Sequence, residues 1–286
     1  MRKTTVRKAE ELFFRVIMFL ATTLIIFALC LIIYSILKHG LPAVSWEMLT
    51  QVPKGGFYFG KEGGILNAIL GSLYLALGAS ILAFIIGLPV ALFINIHLFK
   101  YRKLVISIRF LLDVMWGIPS IVYGAFGFTV MLYFGMRSSL LAGMLTVTLF
   151  IIPIMIRAID EVMKTVPLGL LESSLSLGST KSETAYRVYF RQCISGVTTA
   201  LLLSFGRAIG DAASVLFTTG YTDNLPTSLT QPTATLPLAI FFQLSSPIAE
   251  VKERAYASAV ILTVIILAIS LLSRVSARRY QKNKIK

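Results

Sequence analysis

Two long stretches without a charged side chain limit what this chain can fold into. Residues 16–37 contain no Asp, Glu, Lys or Arg, and neither do the 37 residues 63–99. A helix needs about 20 apolar residues to cross the hydrocarbon core of a bilayer, and its backbone polar groups must be hydrogen-bonded within the segment. The first stretch is also longer than the apolar region of a signal peptide. The sequence therefore predicts a membrane protein whose first apolar segment is retained as an anchor.

Composition supports a membrane location and excludes several other classes. Charged residues make up 14% of the chain and the mean hydropathy is +0.81, whereas soluble domains carry about 25% charged residues. The net charge of +14 lies in clusters between apolar runs rather than on one face of a soluble domain, so we expect no nucleic-acid partner. The two cysteines, Cys30 and Cys193, are too few for a disulfide framework or a thiolate metal site. We expect membrane lipid as the surroundings and no cofactor, metal site or catalytic residue.

The apolar segments predict an all-α, polytopic integral membrane protein with about six transmembrane helices. The six spans are residues 14–37, 72–98, 110–133, 140–156, 197–217 and 255–272. We interpret residues 63–99 as one tilted span with a glycine-rich approach helix, since they are too many for one span and too few for two. Small residues recur every fourth position at Ala79, Ala83, Gly87 and Ala91, which allows close helix packing. Three prolines should kink their spans: Pro89, Pro119 and Pro153.

The distribution of Lys and Arg predicts the orientation. Four segments (1–12, 100–109, 157–191 and 274–286) hold 19 of these residues, against six in the loops on the opposite side. Because positively charged loops are retained in the cytoplasm, we expect both termini to be cytoplasmic and the protein to cross the inner membrane several times.

The longest predicted cytoplasmic loop, residues 157–191, carries signals for two short amphipathic helices. Pro167 suits a first helical turn, and Gly178 can adopt the left-handed conformation that ends a helix. Thr180 and Glu183 then have the spacing of a capping box. Two helices of this kind form a knob suited to a groove on a partner protein. A re-entrant or surface-lying loop is the alternative.

The same loop resembles a known motif. Glu172-Ser173-Ser174, followed after three residues by Gly178, is similar to the EAA motif of binding-protein-dependent importer permeases. The Glu and the Gly match in register, two alanines are replaced by serines, and the closing proline of the motif is absent. The resemblance implies that Glu172, Ser173, Ser174, Gly178, Thr180 and Glu183 contact a separate ATPase subunit.

Further matches narrow the resemblance to the phosphate-specific permeases of that family, the PstA group. Residues 117–124, Gly-Ile-Pro-Ser-Ile-Val-Tyr-Gly, resemble the signature of the group's third span. Residues 206–211, Gly-Arg-Ala-Ile-Gly-Asp, resemble its Arg-Ala-Ile-Gly-Glu segment, with Asp in place of Glu. The resemblance implies the MetI-like architecture of type I ABC importers. It also implies a PstC-like second permease, PstB-like cytoplasmic ATPase subunits and a PstS-like extracytoplasmic phosphate-binding protein.

With this resemblance, the chain divides into four parts. Residues 1–12 form a cytoplasmic tail, and residues 13–62 form the first transmembrane helix and an outer loop. Residues 63–273 form the permease domain, which includes the coupling loop 157–191, and residues 274–286 form a basic cytoplasmic tail.

Arg207 and Asp211 are the pair of ionisable residues deep in a predicted span. Positions four apart share a helix face, and charges at mid-membrane are kept only when they are paired or functional. Two interpretations stay open: a role in the translocation pathway, and a structural ion pair. We interpret Asp113, near the inner end of the third span, as an interfacial residue.

Several functions remain as alternatives to phosphate import. Sulfate or molybdate is an alternative cargo for the same kind of permease. An ion-coupled secondary transporter would need more mid-membrane carboxylates and no ATPase-binding knob. An intramembrane enzyme would need a serine–lysine, paired aspartate or zinc constellation, and no such set stands in the predicted spans.

We predict that the purified chain alone neither binds nor hydrolyses ATP. Gly55 and Gly60-Lys61 imitate a phosphate-binding loop, but Glu62 stands where magnesium requires a hydroxyl group. ATP hydrolysis by the isolated chain, measured after removal of contaminating ATPases, would contradict the prediction of a separate ATPase subunit.

Overall fold

The computed structural model of the protein describes residues 2–54 and 62–281. The glycines of the imitation phosphate-binding loop lie outside the described residues. The described chain is mainly helical. Its elements up to the second span are α1 (Arg2–Gly40), a 3-10 turn (Leu41–Ala43), α2 (Trp46–Thr50), β1 (Pro53–Lys54), β2 (Glu62–Gly63) and α3 (Leu66–Leu92), which a π-helix (Phe93–His97) extends. The strands β1 and β2 form an antiparallel pair with Pro53 opposite Gly63.

The remaining elements complete the bundle. They are α4 (Arg102–Gly117), α5 (Ser120–Tyr133), α6 (Leu140–Met163), α7 (Leu168–Ser176), α8 (Lys181–Glu183), a π-helix (Thr184–Tyr189), α9 (Phe190–Gly210), α10 (Leu236–Leu244) and α11 (Ala249–Gln281). Within the described residues, five helical segments are long and apolar enough to span a membrane, or six if α4 and α5 count as one broken span. The expectation of an all-α protein with about six spans is confirmed.

Three helices, α3, α6 and α9, pack against one another and form the core. The small face predicted on α3 is buried, and Ala79, Ala83 and Ala91 have no exposed surface. The Thr148 hydroxyl of α6 lies 3.4 Å from the carbonyl oxygen of Ala79, which shows how closely the backbones approach. Helices α4 and α5 pack on α6, α11 packs on α9 and α10, and α1 packs on α11.

The third predicted span is broken rather than kinked. Helix α4 ends at Gly117, α5 begins at Ser120, and the two helices meet at 93°. Pro119 has no N–H to donate and a φ of −57°, and Ile118 before it is extended, as is usual for a residue that precedes proline. At Gly124 of α5 a Cβ atom would stand 2.8 Å from the carbonyl oxygen of Ala213, so this half-helix packs directly against the chain after α9.

The fifth predicted span, 197–217, ends earlier than expected. Helix α9 stops at Gly210, and residues 211–235 form turns and irregular chain. Residues 214, 215, 218, 219 and 233–235 of this segment are buried, whereas residues 227–232 are exposed. Its carbonyl groups bond the start of α6: the amides of Ser139, Leu140 and Leu141 donate to Thr218, Gln231 and Leu229 at 2.8–2.9 Å. The segment therefore replaces part of a transmembrane helix while it satisfies the free N–H groups of another helix.

The second span is also simpler than expected. No separate approach helix precedes it, because Leu66 to Leu92 form one continuous helix around the buried glycines.

The loop after α6 and the start of α4 lie at the same end of the bundle, which we call the basic end because Arg102, Arg109 and Lys164 lie together there. The end at which α6 begins is the opposite end.

We predict that Ala79→Leu lowers the free energy of unfolding by about 1–3 kcal/mol, because a larger side chain separates two tightly packed helices. Ala125→Leu, at an exposed position of α5, is the matched control and should change stability by less than about 0.5 kcal/mol. Thermal unfolding of both variants in detergent measures the difference. Equal losses would contradict the role assigned to the small face of α3.

Candidate functional site

The loop after α6 folds as a helix, a glycine turn and a second helix. Helix α7 begins after Pro167 and ends at Ser176, and Gly178 then adopts a φ of +86°, which favours glycine. The capping box is present: the Thr180 hydroxyl accepts the Glu183 amide at 3.2 Å, and the Glu183 carboxylate accepts the Thr180 amide at 3.0 Å. The predicted start, turn and restart of these helices are confirmed.

A buried hydroxyl pair holds the two helices together. Thr184 has no exposed surface, and its hydroxyl donates to the Thr180 carbonyl at 3.0 Å. Its hydrogen is then used, so the Ser174 hydroxyl, 2.9 Å away, donates to the Thr184 oxygen. Ser174 is one of the residues that the resemblance assigned to coupling, and its side chain faces inward between the helices. The remaining coupling residues, Glu172, Ser173, Gly178, Thr180 and Glu183, are exposed.

The tip of this loop presents apolar side chains as well as charged ones. Leu177 is 87% exposed, Leu168 52% and Tyr186 51%. We call the exposed surface of residues 168–187 the knob. An apolar surface rimmed by charges at the basic end of a membrane bundle is typical of a contact site for another protein.

The second helix of the loop is longer than expected. It does not end within the loop but continues through the π-helix Thr184–Tyr189 into α9, so that residues Lys181–Gly210 form one helical segment. With a rise of about 1.5 Å per residue, its 30 residues extend about 45 Å. The knob is thus attached rigidly to a core helix.

An ion pair between Arg207 and Asp211, one of the two interpretations left open by the sequence, does not form. Since α9 ends at Gly210, Asp211 is extended and its carboxylate turns away to accept the Ser214 amide at 2.8 Å. The expectation that the two residues share a helix face is wrong, because the helix stops between them. Among the described residues, no carboxylate lies within ion-pair distance of Arg207.

Arg207 lies close to the middle of the bundle. Its guanidinium carbon is 5.2 Å from the ring centre of Phe150, the eleventh of the 24 residues of α6. The side chain is exposed on the surface of this chain, and Gly206 beside it faces open space. Arg207 also lines a cavity of about 310 Å³ between α4, α6, α9 and α11, together with Trp116 and Ser270. The arginine therefore lies level with the middle of α6, and among the described residues its guanidinium contacts a ring face but no carboxylate.

A second group of charges, near the basic end, was not expected from the sequence. Its centre is Asp160, which has no exposed surface. One carboxylate oxygen accepts from Arg109 and Asn95, both at 2.8 Å. The other oxygen accepts from Arg157 at 2.8 Å and lies 3.3 Å from the Lys164 ammonium group. We call these five residues the Asp160 cluster.

The cluster extends to Asp113, which Arg157 binds through two nitrogens at 2.6 and 3.3 Å. Asp113 is half exposed, which agrees with an interfacial position, but it also ties α4 to α6. The residues that bind Asp160 lie on the π-helix after α3, on α4 and on α6, so the distances between them could not be read from the sequence. One local signal was present in the sequence: residues 157, 160 and 164 are charged and stand three and four positions apart, a spacing that brings side chains together on one helix face.

The described residues contain no group of His, Cys, Asp and Glu that could hold a metal ion.

The region of residues 83–284 matches the model of the family described as "Binding-protein-dependent transport system inner membrane component". The chain belongs to this family. The family is one of transport permeases rather than enzymes, and its members lie in the inner membrane. Membership implies a partner ATPase, a substrate-binding protein and a second permease.

Curated relatives of this permease cover most of its length. The phosphate transport system permease protein PstA of Pasteurella multocida is 30% identical over 272 residues, which are 94% of this chain and 95% of the relative. PstA of Yersinia pestis is 32% identical over 87% of this chain and 84% of its own. The probable PstA of Methanocaldococcus jannaschii is 31% identical over 93% and 92%. The resemblance to the PstA group is confirmed.

Solved permease structures share the fold. A chain of the inward-facing methionine ABC transporter MetNI superposes with a TM-score of 0.62 at 18% identity and covers 75% of this chain and 95% of its own. A chain of a bacterial alginate ABC transporter gives 0.63 at 15% identity, over 93% and 94%. The MetI-like architecture expected from the resemblance is confirmed.

We predict that Asp160→Asn destabilises the permease by about 3–5 kcal/mol, because it leaves two half-buried guanidinium groups without their shared carboxylate. Glu161→Gln is the matched control: its side chain is 58% exposed, and the loss of a surface ion pair costs about 0–1 kcal/mol. Unfolding in detergent measures both. An Asp160→Asn protein as stable as Glu161→Gln would contradict the central place of the cluster.

Proposed function

We propose that the chain is a transmembrane subunit of an ATP-driven importer of inorganic phosphate, forming half of the translocation pore. The observation that carries this proposal is the exposed Arg207 beside the middle of the helix α6, in a permease whose curated relatives are phosphate permeases. The basic end is the cytoplasmic end, with both termini inside, since positive charge is retained there.

Arg207 acts as a transient binding group for the anion in transit. A guanidinium at membrane depth is costly unless it faces a partner or a water-filled cavity. Here the described chain supplies a ring face and open space but no carboxylate. The planar fork of donors matches the oxygens of a tetrahedral oxyanion. An attached carboxylate would compete with that anion, so the absence of a fixed partner suits a pathway role.

Asp211 contributes to the pathway by shaping the backbone that follows α9. Its carboxylate binds the Ser214 amide and begins the turns that follow α9. The helix therefore stops one turn after Arg207, and the chain that follows forms the outer part of the wall. Glutamate, which the related segment carries, has one more methylene group and would place its carboxylate differently.

The knob provides the link to the ATPase. Its exposed Glu172, Leu177 and Tyr186 form the contact surface, and the rigid segment Lys181–Gly210 joins that surface to Arg207. Movement of an ATPase subunit at the knob would tilt this helix and shift the arginine between the two sides of the membrane.

The full transporter requires further subunits. A PstC-like permease would cover the open face that carries Arg207, two PstB-like ATPase subunits would bind the knobs, and a PstS-like protein would deliver phosphate at the opposite end. The division of the chain into tail, first helix, permease domain and basic tail belongs to this proposal.

We predict that Gly178→Val inserts normally but loses the ATPase subunit. Valine at a φ of +86° is strained by at least about 1–2 kcal/mol, so the turn between α7 and α8 would change shape. Copurification of the ATPase in mild detergent, normalised to membrane abundance, measures the effect.

Gly117→Val is the matched control, because Gly117 lies outside the knob. A Cβ atom meets no neighbour at either glycine, but Gly117 is the last residue of helix α4 and has no positive φ. This variant should retain the ATPase. Retention by both variants, or loss by both, would contradict a role for the left-handed turn.

We predict that Arg207→Gln reduces phosphate uptake at least about tenfold, the loss expected when a charge-assisted hydrogen bond of about 1.5–3 kcal/mol is removed. Arg207→Lys keeps the charge without the fork and should recover assembly more fully than transport. Uptake of labelled phosphate, with sulfate and molybdate as competitors, measures the effect and the cargo together.

Arg191→Gln is the control on the same helix, because Arg191 is exposed near the basic end. It should leave uptake within about twofold. Full uptake by Arg207→Gln would contradict the pathway role. If Arg207→Ala assembles poorly and adding Asp211→Ala restores assembly, the result would instead support a structural pair. If sulfate displaces phosphate in the uptake assay, sulfate would replace phosphate as the proposed cargo.

A further inference from the structure

A cavity of about 480 Å³ opens at the basic end, beside the Asp160 cluster but separate from the Arg207 cavity. It lies between the end of α3, the start of α4, the end of α6 and the knob. Three of its lining side chains are cationic: Arg102, Arg109 and Lys164. The rest of the wall is mainly apolar, and includes Phe99, Val105 and Met163.

The cations of this cavity are not fully neutralised. Arg109 and Lys164 share the carboxylate of Asp160, and Lys164 also binds Glu161 at 2.6 Å. Arg102 is exposed and has no ion pair among the described residues. Arg109 uses one terminal nitrogen for its bonds to Asp160 and Asn95, and its buried Nε–H has no acceptor. The cavity therefore offers surplus positive charge and unused donors.

We propose that this cavity binds an anionic phosphate group, with Arg102 as the residue that attracts it and Arg109 as a donor. The volume lies in the range of small-molecule sites, which is about 300–1,000 Å³. Basic pockets between helices at the cytoplasmic membrane surface suit the headgroups of anionic lipids. The apolar wall favours a phospholipid over free phosphate, because glycerol and the first acyl carbons would fill the space beside the headgroup.

A lipid bound in this cavity would lie against the knob and the helix that leads to α9. The cavity touches Leu168 of the knob and Tyr189 of the helix that leads to α9. A lipid in the cavity would add contacts between the start of α4, the end of α6 and the knob. The binding itself is independent of phosphate transport, so it can be measured without a transport assay.

The test uses the full-length chain in detergent and native mass spectrometry. Dioctanoyl phosphatidylglycerol should bind more tightly than dioctanoyl phosphatidylcholine. Arg102→Gln should weaken phosphatidylglycerol binding about fivefold, as expected for one cation near a membrane surface. Lys103→Gln is the matched control, because Lys103 is the exposed neighbour that does not line the cavity. It should change binding less than about twofold.

A competition arm distinguishes the two sources of the phosphate group. If inorganic phosphate at millimolar concentration leaves the lipid bound, the ligand is the phospholipid. If it displaces the lipid, and Arg102→Gln weakens that displacement, the cavity binds the free ion. Equal binding of the two lipids, or equal effects of Arg102→Gln and Lys103→Gln, would overturn the proposal.

Discussion

Backbone hydrogen bonding in an apolar medium governs this structure more than any single side chain. Each N–H and C=O group in the bilayer must find a partner in the protein, so continuous helices are the default and any interruption must be buried or line a cavity. Where the chain departs from helix, it bonds to or packs against other parts of the protein. Residues 211–235 supply carbonyl groups to the free amides at the start of α6, and the break between α4 and α5 packs against the same segment through Gly124. The two interruptions support each other.

Charges inside the bundle follow two opposite rules. Asp160 is saturated by Asn95, Arg109, Arg157 and Lys164, and this arrangement fixes three elements at the basic end. A buried carboxylate without such partners would cost several kcal/mol, so the cluster forms as a unit. Arg207 is in the opposite situation: among the described residues, its guanidinium has a ring face and open space beside it but no carboxylate partner. The first arrangement is suited to stability and the second to a ligand that comes and goes.

A single helical segment connects the knob to Arg207. Lys181–Gly210 begins at the capping box of the knob and ends one turn beyond Arg207. The two π-helices stand where the cluster and the knob join the core: Asn95 reaches Asp160 from one, and Thr184 holds Ser174 from the other. The wider turn of a π-helix is common at functional positions, since it redirects one side chain without ending the helix.

The sequence by itself determined the properties that depend on local pattern. The lengths of the apolar segments predicted the spans and the all-α class, and the spacing of small residues predicted the packed face of α3. Gly178, Thr180 and Glu183 predicted the turn of the knob. Each of these features depends on residues within a few positions of one another. Tertiary structure decided the rest. The end of α9 at Gly210, which separates Arg207 from Asp211, depends on the fold of the following 25 residues. The Asp160 cluster brings Asn95 and Arg109 from distant parts of the chain to α6. No local pattern encodes these two contacts, since their distances are set only when α3, α4 and α6 pack.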